Sequence, residues 1–355
     1  KAERLAVAAT LTDETIEALQ VQGRAQLRDR SVESITTLLS ARALVRAHPT
    51  AAAAMSVESA LGDTYAVFGR SADALVAYGR AATASQRVTA TYESALDRAR
   101  NRDQRVAPFD GALRVLMGLP ESRRRLEQLF AWSARKKDAL FIGANVAGTP
   151  ARTDATLADV QRTLDGATAV VDYIAVDSGI FALVITARAS RVVRLPLNAL
   201  ATSELVQRLR RPLVAVDAGQ LDLARAPFDL GLAHQLYSGL FAPLEQTLGG
   251  VQRLMIVPDG PLYGVPFDAL PRTTPGTGST ANAYSSADYL IDRFSITVST
   301  SSALAGGQRS RSVAEGARVL VVRGPVAGGE REVASIVAAW PAGRVMSIGG
   351  REGTE

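Results

Sequence analysis

Few side chains in this sequence of 355 residues could carry out chemistry. The sequence contains no cysteine, which excludes a thiolate nucleophile, a thiolate metal ligand and a disulfide within these residues. Of the two histidines, we interpret His48 as a favourable charge at a helix end and His234 as a structural residue of an apolar helix face. With no cysteine and only two histidines, the sequence does not supply the residues of a zinc site or of a histidine-based triad. We therefore predict no metal, no cofactor and no catalytic residue.

The motifs of a serine nucleophile and of phosphate binding are missing as well. The sequence has no G-x-S-x-G, no G-x-x-x-x-G-K and no G-x-G-x-x-G after a strand pattern. Gly324, Gly328 and Gly329 stand between a strand pattern and a helix pattern, where a helix N-terminus could hold an anion. Because Glu330 and Glu332 already complement that helix dipole, we favour a structural turn.

The most distinctive stretch is residues 254–270, which read LMIVPDGPLYGVPFDAL. Four apolar residues predict a buried strand, and Pro258-Asp259-Gly260 ends it with turn chemistry. We interpret Asp259 as a turn former rather than an acid catalyst, since Asp before Gly commonly supports a turn. On this interpretation Asp259→Asn should cost less than about 1 kcal/mol, and Phe267→Ala about 3–5 kcal/mol.

The net charge of +5 raises the question of a nucleic-acid partner. All basic residues except Lys1, Lys136 and Lys137 are arginine, and the short basic runs lie in helical patterns at residues 123–125, 135–137 and 208–211. We interpret these runs as solvated helix faces and predict no nucleic-acid partner.

Hydropathy predicts neither a membrane span nor a signal peptide, because no apolar run reaches 18 residues and no basic-then-apolar segment opens the chain. We therefore expect a cytoplasmic location and no membrane partner. The sequence starts at Lys1 inside a helical pattern and stops at Glu355 without a terminal helix, so we expect a fragment of a longer chain.

Residues 1–140 show a helical period. Helices are expected to begin near Thr12 or Asp13 and near Ser31. Within this region, one stretch near residues 55–88 resembles a tetratricopeptide repeat, in which small residues let two helices approach and tyrosines fill the groove. An antiparallel helix array without repeat ancestry is the alternative. The residues that carry this resemblance are Leu61, Gly62, Tyr65, Ala74, Tyr78 and Ala81.

The helical period is lost at residues 141–154, where glycine and proline indicate a linker. Residues 155–355 then alternate strands and helices, and their closing strand-helix-strand order is typical of a parallel α/β unit. We predict helices at 157–164, 199–211, 227–248 and 330–340, strands at 168–176, 180–187, 191–197, 254–257, 289–292, 295–302, 318–322 and 344–348, and loops at 271–287 and 305–316.

The run at 254–270 resembles the signature of the CHAT domain, a caspase-like module that in bacteria commonly follows tetratricopeptide repeats. Residues 299–304, 328–340 and 348–355 resemble its small-residue stretch, its Glu-bearing helix and the segment before its catalytic histidine. The resemblance implies an α + α/β architecture, with a repeat-like array at 1–140 and an incomplete caspase-like domain at 155–355. The family's catalytic His-Gly and cysteine would then follow residue 355, so no catalytic residue is carried over.

Two functions remain open from the sequence. The chain could be the front part of a caspase-like cysteine peptidase whose helical repeats recognise a protein or peptide partner. Alternatively, it could be a non-catalytic scaffold that binds a peptide in its helical array.

Overall fold

The computed structural model describes residues 2–92, 94–141, 155–222, 227–273, 280–303, 319–323, 329–339 and 344–349. The chain divides into two compact units, residues 1–307 and residues 308–355. Helices make up the start of the first unit, with the bounds α1 Ala2–Arg28, α2 Glu33–Ala47, α3 Ala51–Val67, α4 Ser71–Ala90, α5 Ala95–Arg100, α6 Arg102–Met117 and α7 Arg123–Phe141.

The first helix begins well before the predicted start at Thr12 or Asp13, because alanine and leucine favour the helix throughout that stretch. Thr50 caps α3 by accepting a hydrogen bond from the Ala53 amide at 3.2 Å. Helix α2 begins near Ser31 as predicted, but its N-cap residue is Val32, which has no side-chain capping bond; Ser31 accepts a bond from the Glu33 amide at 3.3 Å. The predicted helix-rich character of residues 1–140 is confirmed.

Helices α3, α4 and α6 meet around Tyr78. A Cβ atom added at Gly62 would lie 2.6 Å from its ring, and one added at Gly111 would also collide with it. The Tyr78 hydroxyl donates to Asp63 at 2.7 Å, and Ala74 is fully buried. The predicted close approach at Gly62 is therefore present, since only residues without a Cβ leave room for this ring.

A five-stranded mixed sheet follows, in the order β3-β2-β1-β4-β5. Strand β1 pairs antiparallel with β2, as β2 does with β3, and this confirms the two predicted hairpins. Strand β1 also pairs in parallel with β4, and β4 with β5. The strand bounds are β1 Thr168–Val176, β2 Gly179–Thr186, β3 Ser190–Arg194, β4 Arg253–Val257 and β5 Ser295–Val298.

The two faces of this sheet join two hydrophobic clusters, because side chains alternate along a strand. Val170 and Ile174 of β1 pack into one cluster with residues of α1 to α4, of α6 and α7, and of α8 (Leu157–Thr163). Val171 and Tyr173 pack into the other with α9 (Ala199–Asp217) and α10 (Leu230–Leu240). The helices of residues 1–140 thus share one core with the sheet. The predicted linker begins at the last residue of α7 and otherwise lies outside the described residues.

Several predicted elements differ between residues 198 and 298. Asn198 caps α9 as predicted, through the Ala201 amide at 2.8 Å, but the helix continues past residue 211 with Pro212 inside it. Helix α10 ends at Leu240 rather than near residue 248, because a 3₁₀ turn with Pro243 follows it. The predicted loop contains α11 (Thr280–Ser286), and the predicted strand at 289–292 is the helical turn α12 (Leu290–Arg293).

In the second unit, β6 (Val319–Arg323) pairs in parallel with β7 (Val345–Gly349). Helix α13 (Gly329–Ala339) lies between them in sequence. This confirms the predicted strand-helix-strand order and its parallel pairing. The predicted loop at 305–316 lies outside the described residues.

Candidate functional site

A buried ion pair joins α7 to the middle of β1. Lys137 is 0% exposed; it forms a salt bridge with Asp172 and donates to the Tyr173 carbonyl at 2.9 Å. Asp172 also accepts hydrogen bonds from Ser133 of α7 at 3.0 Å and from Ser302, beyond β5, at 2.6 Å. Both carboxylate oxygens are thereby bonded, which is what a charge in a protein interior requires.

The neighbouring lysine holds the turn after β4. The Lys136 Nζ lies 2.6 Å from Asp259 and 2.7 Å from Asp110, and it donates to the Ala175 carbonyl at 2.9 Å. The same Asp259 oxygen accepts the Ala175 amide at 2.9 Å, and the residue is 1% exposed. Helix α7, the end of β1 and the turn after β4 therefore converge on one ammonium group.

The register of the sheet explains this convergence. Parallel pairing of β1 with β4 places Asp172 opposite Val257, the last residue of β4. Asp259, two residues further along the chain, therefore lies beside Ala175 of β1. Gly260 then turns the chain with a φ of +56°, in the left-handed region where glycine is favoured. The turn predicted from Pro258-Asp259-Gly260 is present, and its aspartate reaches back to the sheet.

The segment after the turn packs under the sheet, as predicted. It forms two short 3₁₀ helices, Gly260–Gly264 and Phe267–Ala269. The ring of Phe267 stacks on Tyr173, with centroids 5.5 Å apart, and is almost fully buried. The hydroxyl of Tyr173 donates to the Leu240 carbonyl at 3.2 Å, which fixes α10 against the same ring.

The pKa values of this cluster follow from burial and from two carboxylates that share one cation. Burial raises the pKa of Asp110, although Lys136 opposes the shift. Burial alone would lower the pKa of Lys136, but the carboxylates of Asp259 and Asp110 outweigh it and hold that pKa above its ordinary value. Burial, reinforced by Asp259, also raises the pKa of Tyr263.

A cavity of about 720 Å³ opens beside the cluster, at the carboxyl ends of β1 and β4. In open α/β sheets this edge is where ligands commonly bind. Its charged lining contains more carboxylates than cations. The polar residues that line it are Arg102, Asp103, Asp110, Lys136, Asp177, Asn198, Ser203 and Asp259.

The structure corrects the interpretation of the basic run at 135–137. The prediction of a solvated helix face is wrong for Lys136 and Lys137, because both are buried and bonded to the sheet. In the run at 123–125, Arg125 is also buried and donates to the Leu116 carbonyl at 2.8 Å. Composition was the one signal in the sequence that set Lys136 and Lys137 apart. Apart from Lys1, they are the only lysines in a chain that otherwise uses arginine.

The remaining sequence candidates lie in separate places. His48 ends α2, and its amide bonds to the Leu44 carbonyl at 2.9 Å. His234 lies on α10, with Nδ1 3.0 Å from the Pro271 carbonyl and Nε2 3.3 Å from the Ser238 hydroxyl. Within the described ranges, no group of three or more His, Asp or Glu side chains is arranged to hold a metal ion. Gly324 and Gly328 lie outside those ranges.

Residues 230–345 match the CHAT domain. This confirms the CHAT resemblance for a segment of about a third of the chain, from α10 to the start of β7. No curated protein matches the chain.

The CHAT match contains Asp259, while its partners lie before the matched residues. Lys136 and Lys137 of α7 and Asp172 of β1 all precede residue 230. Lys136 bonds to Asp259 in the turn after β4, the CHAT turn, and Lys137 bonds to Asp172 in the strand that pairs with β4. Among the described residues, no helix is both long and apolar enough to cross a bilayer.

Proposed function

We propose that this chain is the N-terminal and central part of a caspase-like CHAT peptidase, in which helical repeats recognise a protein or peptide partner. In this proposal residues 1–140 are a tetratricopeptide-like array, residues 141–154 a linker and residues 155–355 the N-terminal part of a CHAT domain in a cytoplasmic protein. The thiolate nucleophile must come from outside residues 1–355, since these contain no cysteine.

The match of residues 230–345 to the CHAT domain supports the peptidase part of the proposal, and the pair of buried lysines supports its connection to the helices. Both side chains leave α7, in the helical part, and end on the strand and turn of the CHAT side. Any shift of α7 against the sheet would leave buried charges without partners, at a cost of about 3–5 kcal/mol for each broken pair. A partner bound to the helices would therefore act on the CHAT turn through a rigid connection.

The test is a peptidase assay on the natural polypeptide that contains this chain. Cleavage of labelled casein that iodoacetamide abolishes would support the peptidase proposal, and residues 1–355 alone should show no such cleavage. Thiol-dependent cleavage by residues 1–355 alone, or a natural polypeptide with no such activity, would contradict it.

The second candidate is a non-catalytic scaffold. It is favoured by the absence of cysteine from the chain and by the shared core of helices and sheet, which suits a docking platform. A natural polypeptide that binds a partner through its helices without cleaving it would support this candidate.

A further inference from the structure

A groove of about 750 Å³ lies on the helical part, between α4, α7 and the loop that joins α6 to α7. Its wall and floor include Leu75, Leu119 and the nearly buried ring of Trp132. Val76 stands in the same lining with 54% of its surface exposed. The groove thus offers apolar area that the described part of the chain leaves open to solvent.

Every charged residue that lines this groove is positive. Arg124 is exposed, and Arg125 is held by the carbonyls of Leu116 and Met117. Ser71 and Ala72, at the start of α4, also line the groove, where Asp73 in the first turn complements the helix dipole.

Two acidic residues near the groove are paired, and a third, the exposed Glu121, lies between the lining residues Pro120 and Ser122 without belonging to the lining. Asp73, in the first turn of α4, forms a salt bridge with Arg70 at 2.7 Å. Glu127, on α7, forms one with Arg123 at 3.0 Å. The unbalanced charge on the lining is therefore that of Arg124 and Arg125, in contrast to the carboxylate-rich cavity beside Asp259.

We propose that this groove binds an acidic segment of a partner protein, which inserts an apolar side chain over Leu75 and Trp132 while its carboxylates face Arg124. Charge complementarity and the exposed apolar area select this occupant over a basic or purely polar one. The inference rests on the proposed recognition role of the helices, and it requires no peptidase activity.

The binding test uses the full 355-residue chain and three fluorescein-labelled peptides, measured by fluorescence anisotropy. The first alternates glutamate with leucine, the second replaces glutamate with lysine, and the third replaces leucine with serine. We expect binding of the first alone, weakened by added salt because exposed charges are screened. Equal binding of the lysine peptide, or no binding of the first, would overturn the proposal.

Two matched pairs of variants locate the site. Arg124→Glu should weaken binding about tenfold or more, while Arg87→Glu, at an exposed arginine of α4 that lies outside the lining, should leave it within about twofold. Val76→Glu should weaken it similarly, while Val67→Glu, at an equally exposed valine (53%), should not. Equal effects within either pair would contradict the assignment.

Two further results separate this inference from its alternatives. Light scattering after size exclusion would detect a second copy in the groove, and a dimer abolished by Arg124→Glu would overturn the partner assignment. If the peptide binds but the natural polypeptide cleaves nothing, the groove stands and the peptidase proposal fails. If thiol-dependent cleavage occurs but no acidic peptide binds, the groove assignment fails instead.

Discussion

Lys136 and Lys137 are buried lysines in a chain whose other basic residues, except Lys1, are all arginine. An ammonium group has three donors arranged around one atom, and the Lys136 Nζ meets three acceptors, on Asp259, Asp110 and Ala175. A planar guanidinium is larger and cannot direct its donors in this way. The geometry of these acceptors accounts for lysine at this position.

Asp259→Asn should destabilise the protein by about 3–5 kcal/mol, because it leaves Lys136 in the interior with one of its two carboxylates. This replaces the cost of less than about 1 kcal/mol that a turn-forming role predicts. Urea unfolding of Asp259→Asn and Phe267→Ala checks it, and the two costs should be comparable. A loss below about 1 kcal/mol for Asp259→Asn would restore the simple turn interpretation.

Stability should fall at alkaline pH because the pKa of Lys136 is raised in the folded protein. Its contribution is fully present below the unfolded pKa, about 10.4, and is lost as pH rises through the folded pKa. Asp110→Asn removes one of the two carboxylates that raise this pKa. As pH rises above about 10.5, the free energy of unfolding of this variant should therefore fall less than that of the wild type. Buried tyrosines titrate in both proteins and cancel in the comparison. Identical alkaline slopes would contradict the assignment.

At the scale of elements, close packing around Tyr78 sets the spacing of α3, α4 and α6. Gly62→Ala should cost about 1–3 kcal/mol, since its Cβ would lie 2.6 Å from the Tyr78 ring. Gly79→Ala is the matched control on α4: no neighbour lies within 4 Å of its added Cβ, so it should stabilise by up to about 1 kcal/mol. Thermal unfolding of the two variants decides the point, and equal melting temperatures would remove the packing argument.

The strands were predictable from local sequence to within a few residues, because apolar runs bounded by glycine and turn residues leave few alternatives. The limits of α9 and α10 were not, since Pro212 lies inside one helix while Pro243 follows the end of the other. Local pattern alone does not distinguish these two prolines. The sequence of α12 predicts a strand, because its four residues are too few to show a helical period.

At the scale of the whole molecule, the apolar faces of the helices and the sheet form a common core. The sequence predicted both parts and the turn after β4, but not the connection between them. Lys137 bonds to a residue 35 positions away and Lys136 to one 123 positions away. Such pairing depends on which strand lies beside which helix, and no local pattern contains that information.

The central claim, that buried lysines fix the helical part to the CHAT turn, is tested most directly by a double-mutant cycle between α7 and that turn. Urea unfolding would be measured for wild type, Lys136→Met, Asp259→Leu and the double variant. Lys136→Met leaves Asp259 and Asp110 without their shared cation, and Asp259→Leu leaves Lys136 with Asp110 alone. We therefore expect a loss of about 3–5 kcal/mol from each single change, and a double variant that is destabilised by about 2 kcal/mol or more less than their sum. Additive losses, with a coupling energy near zero, would contradict the claim.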